Sequence, residues 1–317
     1  MSPGRSCPLD YRYRASDIAH APLPEGLRGL ETLYVVGGLY GNPEALAAVL
    51  AAFEAEPGGR RKALVFNGDF HWFDAEPDGF ATVQAAVMRH WATRGNVETE
   101  LAREQIGAAG CGCAYPDFVD SATVAHSNRI IERLHAAVPA GQRAVLAALP
   151  PFLRAEVAGM AVGIVHGDAE SLAGWGFSQE AFKAPEAVAA AGRACEDARV
   201  AVFASSHSCL PVLQGLGGGR WLANNGAAGM PNVAGQDFGL LTRLSRQPAR
   251  DALVQVRSGA LHLALCPIRF DPEAWWRRFE SLWPPGSAAH DSYATRIRAG
   301  VAYPRGQILR PAPPGAT

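Results

Sequence analysis

The chain has 317 residues, of which 48% are hydrophobic and 19% charged, and its net charge is -1. These values fit a folded domain with a large core rather than a disordered chain, and they offer no electrostatic footing for a polymeric nucleic acid or an anionic membrane. No apolar run approaches a membrane span, no signal-peptide core precedes the first strand, and six cysteines in so long a chain do not read as a disulfide framework, so a cytoplasmic protein is expected.

Residues 1–29 read as a polar arm over the surface. Leu33–Val36 is a short β-branched strand, followed by the loop Gly37-Gly38-Leu39-Tyr40-Gly41. Asn42 suits a helix cap and Pro43 a first turn, with Leu46, Val49, Leu50 and Phe53 at helical spacing behind them. The glycines of that loop are not spaced G-x-G-x-x-G, which weakens a dinucleotide reading. Leu64–Phe66 is a second strand that ends in Asn67-Gly68-Asp69 and runs on through Phe70-His71-Trp72-Phe73-Asp74. Val83, Val87, Met88 and Trp91 mark a helix before Arg94-Gly95-Asn96-Val97-Glu98.

Residues 101–150 look helical and inserted, with Ser121 as a cap and Val124, Ile131, Leu134 and Val138 on one face. Cys111-Gly112-Cys113 lies within this segment. Phe152–Val157 and Met160–Val165 read as a hairpin turning at Ala158-Gly159 and running into His166-Gly167-Asp168. Val200–Ala204 runs into Ser205-Ser206-His207-Ser208-Cys209. Gly217-Gly218-Gly219 is expected as a hairpin tip, and Trp221–Met230 carries Asn224-Asn225-Gly226. Asp251–Val256 and Leu261–Phe270 form a further hairpin joined by residues 257–260. From Asp271 on, Pro272 starts a helix bearing Trp275, Trp276, Phe279, Leu282 and Trp283, stopped by Pro284-Pro285-Gly286. Ser287 caps a second helix through Arg298, and the Pro-rich tail after Tyr303 reads as loose. The aromatic stripe is expected to dock on the domain as a helical cap, or else to supply a homo-oligomer contact.

Taken in order, six of these loops resemble the motifs of the calcineurin-like metallophosphoesterase superfamily. Its first motif, Asp-x-His-Gly-Asn followed by Glu-Ala-Leu, is matched by Gly41-Asn42 and Glu44-Ala45-Leu46, with Gly38 and Tyr40 in place of the Asp and the His. Gly68-Asp69 resembles the second motif. Gly95-Asn96-Val97-Glu98 is similar to the third, with Val97 in place of the His. His166-Gly167 resembles the His-Gly motif, and His207-Ser208-Cys209 the His-x-His, with Cys209 as the second member. Asn224–Gly229 is like the turn that follows. The resemblance covers roughly residues 30 to 268. It implies an α/β fold: a four-layer metallophosphoesterase-like sandwich of two mixed β-sheets flanked by helices. Residues 30–270 would form that domain, with the insertion 101–150, and 271–317 a helical C-terminal extension and tail.

The resemblance also implies residue roles. The superfamily holds two ions that share one bridging Asp. The ligand set of the second ion is complete here as Asp69, Asn96, His166 and His207, whereas the first retains only the shared Asp69. One divalent transition metal per chain (Mn, Fe or Zn) is therefore expected at the usual second site, since imidazole, carboxylate and amide oxygen suit a borderline ion. Cys209 stands at a ligand position and its thiolate could bind such an ion. A rebuilt site of Cys111, Cys113 and Cys209, with His71, is the sharper alternative to inert thiols. Glu98 and Asp168 are candidates to orient ligands, and Tyr40 and His71 to contact substrate. Val97 removes the usual general acid.

The expected activity is a metal-dependent phosphoesterase that hydrolyses a small-molecule phosphomonoester or phosphodiester by a metal-activated water. The alternative is a non-hydrolytic protein that grips metal with a phosphate or a nucleotide. No nucleic-acid or membrane partner is expected.

Overall fold

The computed structural model describes residues 3–57, 61–139 and 141–312. In chain order its elements are α1 (Ala15–His20), β1 (Thr32–Val36), α2 (Pro43–Glu54), β2 (Lys62–Asn67), α3 (Pro77–Val87), β3 (Trp91–Thr93), α4 (Asn96–Ala102), α5 (Ser121–Ala137) and α6 (Gln142–Ala147). Then come β4 (Phe152–Val157), β5 (Met160–Val165), α7 (Pro185–Asp197), β6 (Val202–Ser205), β7 (Pro211–Gly217), β8 (Arg220–Asn225), β9 (Gly239–Ser245), β10 (Val254–Ser258) and β11 (Leu261–Ile268). The chain closes with α8 (Pro272–Leu282), α9 (Ala288–Ala299) and β12 (Leu309–Arg310).

The strands form two mixed six-stranded sheets, ordered β10-β11-β9-β1-β2-β3 and β12-β7-β8-β6-β5-β4. β1, β2 and β3 run parallel in the first sheet, as do β5, β6 and β8 in the second. Parallel central strands need both faces covered, and their sequences supply this. On β1, Leu33 and Val35 point between the sheets, where they meet Ile164, Val202 and Ala204. Tyr34 and Val36 point outward into a helical layer that includes Val49, Phe80, Ile131 and Phe279. Val165, Phe203 and Leu222 cover the opposite side together with Ile18 of α1 and Val188 of α7. The result is helix, sheet, sheet, helix, the layering expected of the sequence.

Several local details differ from the sequence reading. Trp91 belongs to β3 and not to the preceding helix, because the chain turns after Val87 and Val65 pairs with Trp91 across the sheet. Asp120 rather than Ser121 caps α5, its carboxylate accepting from Thr123 N–H. The last hairpin turns on Gly259-Ala260 alone. Leu309–Arg310 adds an edge strand to β7 where a loose tail was expected, and residues 313–317 of that tail lie outside the described residues. The aromatic stripe of α8 is consumed by its own chain: Trp275, Phe279, Leu282 and Trp283 are buried, and Trp283 Nε1 donates to Phe73 O.

A buried ion pair ties the end of α2 to the first sheet. Arg243 Nε donates to Glu56 Oε2 at 2.9 Å, and Tyr34 Oη donates to the same oxygen at 2.6 Å. Arg243 is 4% exposed and Glu56 9%. Glu56→Ala would leave the guanidinium buried without its partner, at a cost of about 3–5 kcal/mol, whereas replacing both partners with apolar residues (Glu56→Leu with Arg243→Met) should cost less than the single change. Chemical denaturation of the three proteins checks this order.

Candidate metal centre

Every ligand-type residue singled out from the motifs leaves the C-terminal end of a parallel strand. Asp69 follows β2, Asn96 follows β3, His166 follows β5 and His207 follows β6. Side chains at such ends share one rim of the sandwich, where α/β folds generally keep their binding sites. Close approach is built in by backbone geometry. A Cβ on Gly68, whose φ is +73°, would lie 2.6 Å from His166 Nδ1 and from Gly95 N, so only glycine lets these three loops meet. Tyr40, Asp69 and Cys209 carry positive φ of 57°, 54° and 59°, an uncommon conformation for side-chain-bearing residues, concentrated at this rim.

His166 is the hub. Its Nε2 lies 3.2 Å from Asn96 Oδ1, 3.1 Å from His207 Nδ1 and 3.3 Å from Asp69 Oδ2. Asp69, His166 and His207 are all buried, with ligand atoms within 4.8 Å of one another. What faces what is fixed from behind. His166 Nδ1 is 2.9 Å from Asn67 O, and since a carbonyl can only accept, Nδ1 carries the hydrogen and Nε2 is turned inward. His207 Nε2 likewise donates to Cys113 O at 3.0 Å, which turns its Nδ1 inward. Asn96 Nδ2 donates to Cys111 O at 3.0 Å and so presents Oδ1.

Four electron-pair donors therefore converge, and the arrangement needs a positive charge among them. Burial and the neighbouring His166 push the pKa of His207 down to about 4, so this ring is neutral near pH 7. Burial opposes charge on His166 too, but attraction to Asp69 outweighs it and leaves the pKa above the ordinary value. A proton on His166 Nε2 supplies the missing charge, and a cation would do so better. Metal–ligand bonds of about 2.0–2.2 Å imply ligand–ligand spacings of about 3.0–3.5 Å. The observed 3.1 to 3.3 Å fit, as does the mix of imidazole nitrogen, carboxylate and amide oxygen.

The carboxylate of Glu98 accepts from the N–H groups of Asp69 (2.7 Å), Phe70 (2.9 Å) and Gly95 (2.9 Å). It thus holds together the two loops that carry Asp69 and Asn96. Asp168 does comparable work elsewhere, accepting from Glu170, Ser171 and Gly176 N–H and so shaping the loop that carries Trp175. His71 is turned away from the cluster. Its ring nitrogens lie against Asp74 (2.7 Å) and Gln84 (2.6 Å), and it stacks on Phe80 at 3.7 Å.

The thiols are not drawn into the cluster. Cys111 and Cys113 pair with each other as a disulfide, and it is their main-chain carbonyls that steady Asn96 and His207. Cys209 Sγ lies 2.7 Å from Tyr40 Oη. The three residues that replace first-site ligands are thus neighbours: a Cβ on Gly38 would stand 3.1 Å from Tyr40 Cζ, and Tyr40 reaches Cys209. The tyrosine ring thus fills the space between Gly38 and Cys209. A cavity of about 240 Å³ opens in front, lined by Asp69, Asn96, His207, Cys209 and a wall of aromatic residues. Sequence reasoning missed Asn67 O and Cys113 O, which are main-chain atoms, and Arg296, which reaches the cavity from α9.

Two facing mixed sheets flanked by helices, with ligand-type side chains gathered on the strand-end loops, give this chain a fold like that of solved metallophosphoesterases. A metallophosphoesterase from Sphaerobacter thermophilus is similar over 85% of this chain and 100% of its own, at 14% identity and a TM-score of 0.52. A hypothetical protein from Pyrococcus horikoshii is similar over 86% of this chain and 99% of its own, at 14% identity and a TM-score of 0.58. Identity this low speaks for fold alone. In sequence, no family model and no curated protein matches the chain. Among the described residues no helix is long and apolar enough to cross a membrane.

Two outcomes follow from this geometry. Gly38→Asp with Tyr40→His should leave metal content near one ion per chain, because position 38 has a φ of +65° and Cys209 still lacks an imidazole. Elemental analysis of the double variant checks this, and two ions per chain would contradict it. His166→Ala or His207→Ala should weaken metal binding by about 100-fold or more, beyond the 10–100-fold typical of residues that only support a ligand. Competition with a chelating indicator measures it.

Proposed function

We propose that the protein is a single-metal phosphoesterase acting on a small phosphoester. One observation carries the reading: four electron-pair donors, each fixed by a hydrogen bond from behind or by a helix start, meet where Asp69, Asn96 and His207 line a cavity that opens outward, with His166 buried among them. Burying such a set costs stability and serves no packing purpose, which is why clustered groups of this kind mark functional sites. Asp69, Asn96, His166 and His207 would hold a divalent ion, which supplies Lewis-acid charge to a phosphoryl oxygen and acidifies an attacking water.

The remaining work falls to the chain itself. Asn67 O and Cys113 O keep the two imidazoles in the tautomers that leave their inner nitrogens free. Glu98 keeps the Asp69 and Asn96 loops in register. Arg296 borders the cavity with its Nε on Pro231 O and its Nη2 on Cys209 O. This held guanidinium places positive charge beside the space a phosphoryl group would enter. A cavity of about 240 Å³ has room for a small phosphoester, which supports a small-molecule substrate.

The replacement of the usual acid by Val97 favours one rival reading, a protein that binds a phosphate or nucleotide on its metal without turnover. The two separate in one experiment. Protein loaded with Mn, Fe or Zn should hydrolyse at least one member of a panel of phosphomonoesters and phosphodiesters. Chelation or His166→Ala should lower kcat/KM by about 1,000-fold or more, the scale of losing metal charge from the transition state. Tight phosphate binding without turnover of any ester would support the rival.

A further inference from the structure

The cavity in front of the cluster is walled by aromatic rings, and the polar ends of two of them, Trp175 and Tyr115, are already committed. Trp175 stands edge-on to His207, with centroids 5.4 Å apart, and its Nε1 donates to Cys113 O at 3.0 Å. Tyr115 packs on Trp175 at 5.9 Å while its hydroxyl meets Ser127 Oγ at 3.0 Å. Tyr293 leans on Phe73 at 5.1 Å and on Trp72 at 6.4 Å. With the polar ends of Trp175 and Tyr115 tethered, and Tyr293 packed on its neighbours, these side chains offer the cavity ring surface, the lining that receives another planar group by stacking or by edge contact. Arg296 is the one guanidinium among the lining residues. A cavity of about 240 Å³ has room for roughly eight waters' share of liquid volume, enough for a phosphoryl group and one ring.

A second, independent observation comes from the chemistry of departure. Val97 is 1% exposed, lines the same cavity and has only its backbone N–H engaged, on Asp69 Oδ1 at 3.2 Å. It offers no proton to a leaving oxygen. The nearby phenols are poor substitutes, since burial holds Tyr40 and Tyr293 well above the ordinary value and pushes Tyr115 up to about 12. An alkoxide, whose conjugate acid is nearly as weak as water, leaves slowly without such a proton. A phenolate, whose conjugate acid has a pKa near 10, does not need one.

We infer that the substrate is a small aryl phosphoester, its phosphoryl group over the Asp69–His207 end of the cavity and its ring between Trp175, Tyr115 and Tyr293. This rests on the phosphoesterase reading and names the substrate class for it. In the step, water oxygen forms a new bond to phosphorus and the bond from phosphorus to the aryl oxygen breaks. The attacking water releases one proton to solvent, and the aryl oxygen departs with the electron pair and takes a proton from solvent, giving a phenol and a phosphate.

The test has a kinetic arm and a binding arm, both on metal-loaded full-length protein. Across substituted phenyl phosphates and an alkyl phosphate, kcat/KM should fall steeply as the leaving-group pKa rises. The alkyl ester should be slower than the nitrophenyl ester by about 100-fold or more, the scale of a missing general acid, and Val97→His should narrow that gap. In calorimetry, phenylphosphonate should bind about tenfold more tightly than methylphosphonate. Trp175→Ala should erase the preference, and Trp175→Phe, which keeps a ring, should retain it. Equal binding of the two phosphonates, or an alkyl ester turned over as fast as the nitrophenyl ester, would overturn the inference. Selective phenylphosphonate binding with no ester hydrolysed would uphold the ligand class and end the hydrolase reading, so the two failures are distinct.

Discussion

Three acceptors stand within 3.3 Å of His166 Nε2, and most of the rim is arranged to keep them there. Bringing a carboxylate, an amide oxygen and two imidazoles together away from water is unfavourable unless a positive charge joins them. The constraint reaches outward. Gly68 is required so that the loops carrying Asp69, Asn96 and His166 can touch, and Glu98 gathers three backbone N–H groups to keep two of those loops closed. The carbonyls of Cys111 and Cys113 then set the orientation of Asn96 and His207. Each of these supports would be idle in a protein that used the fold only as a scaffold.

Beside the cluster, three positions at which the sequence departs from the resembled motifs, 38, 40 and 209, lie together. A Cβ on Gly38 would stand 3.1 Å from the Tyr40 ring, and the tyrosine hydroxyl meets Cys209. With the single ion proposed above, little charge is set against a departing oxygen, and Val97 offers no proton to it. The easier leaving group proposed for this site, and the wall of rings that would receive it, both follow from that arrangement.

Much of this was legible in the sequence because the superfamily's motifs sit on glycine-bearing loops behind apolar strands, and those patterns are local. Asp69, Asn96, His166 and His207 could be named from Gly-Asp, Gly-Asn, His-Gly and the Ser-Ser-His-Ser-Cys run, and the two-sheet layering from the alternation of strands and helices. The fates of the thiols could not. Whether Cys209 turns to an ion or to Tyr40, and whether Cys111 and Cys113 offer sulfur or carbonyl oxygen, depends on distances across the rim. His71 looked available beside Asp69, yet its partners Asp74, Gln84 and Phe80 are set by the packing of α3. Arg296 lies 89 positions beyond His207 on a helix outside every motif, so no sequence pattern connected it to the cavity.

Anomalous diffraction from crystals soaked in Mn or Zn, collected across the metal's absorption edge, tests the central claim most directly. One peak is expected, bonded to Asp69 Oδ2, Asn96 Oδ1, His166 Nε2 and His207 Nδ1, with Tyr40 and Cys209 still in contact beside it. A peak bonded to the Cys209 sulfur, a second peak in place of the Tyr40 hydroxyl, or a fully soaked crystal with no peak among the four atoms would contradict it.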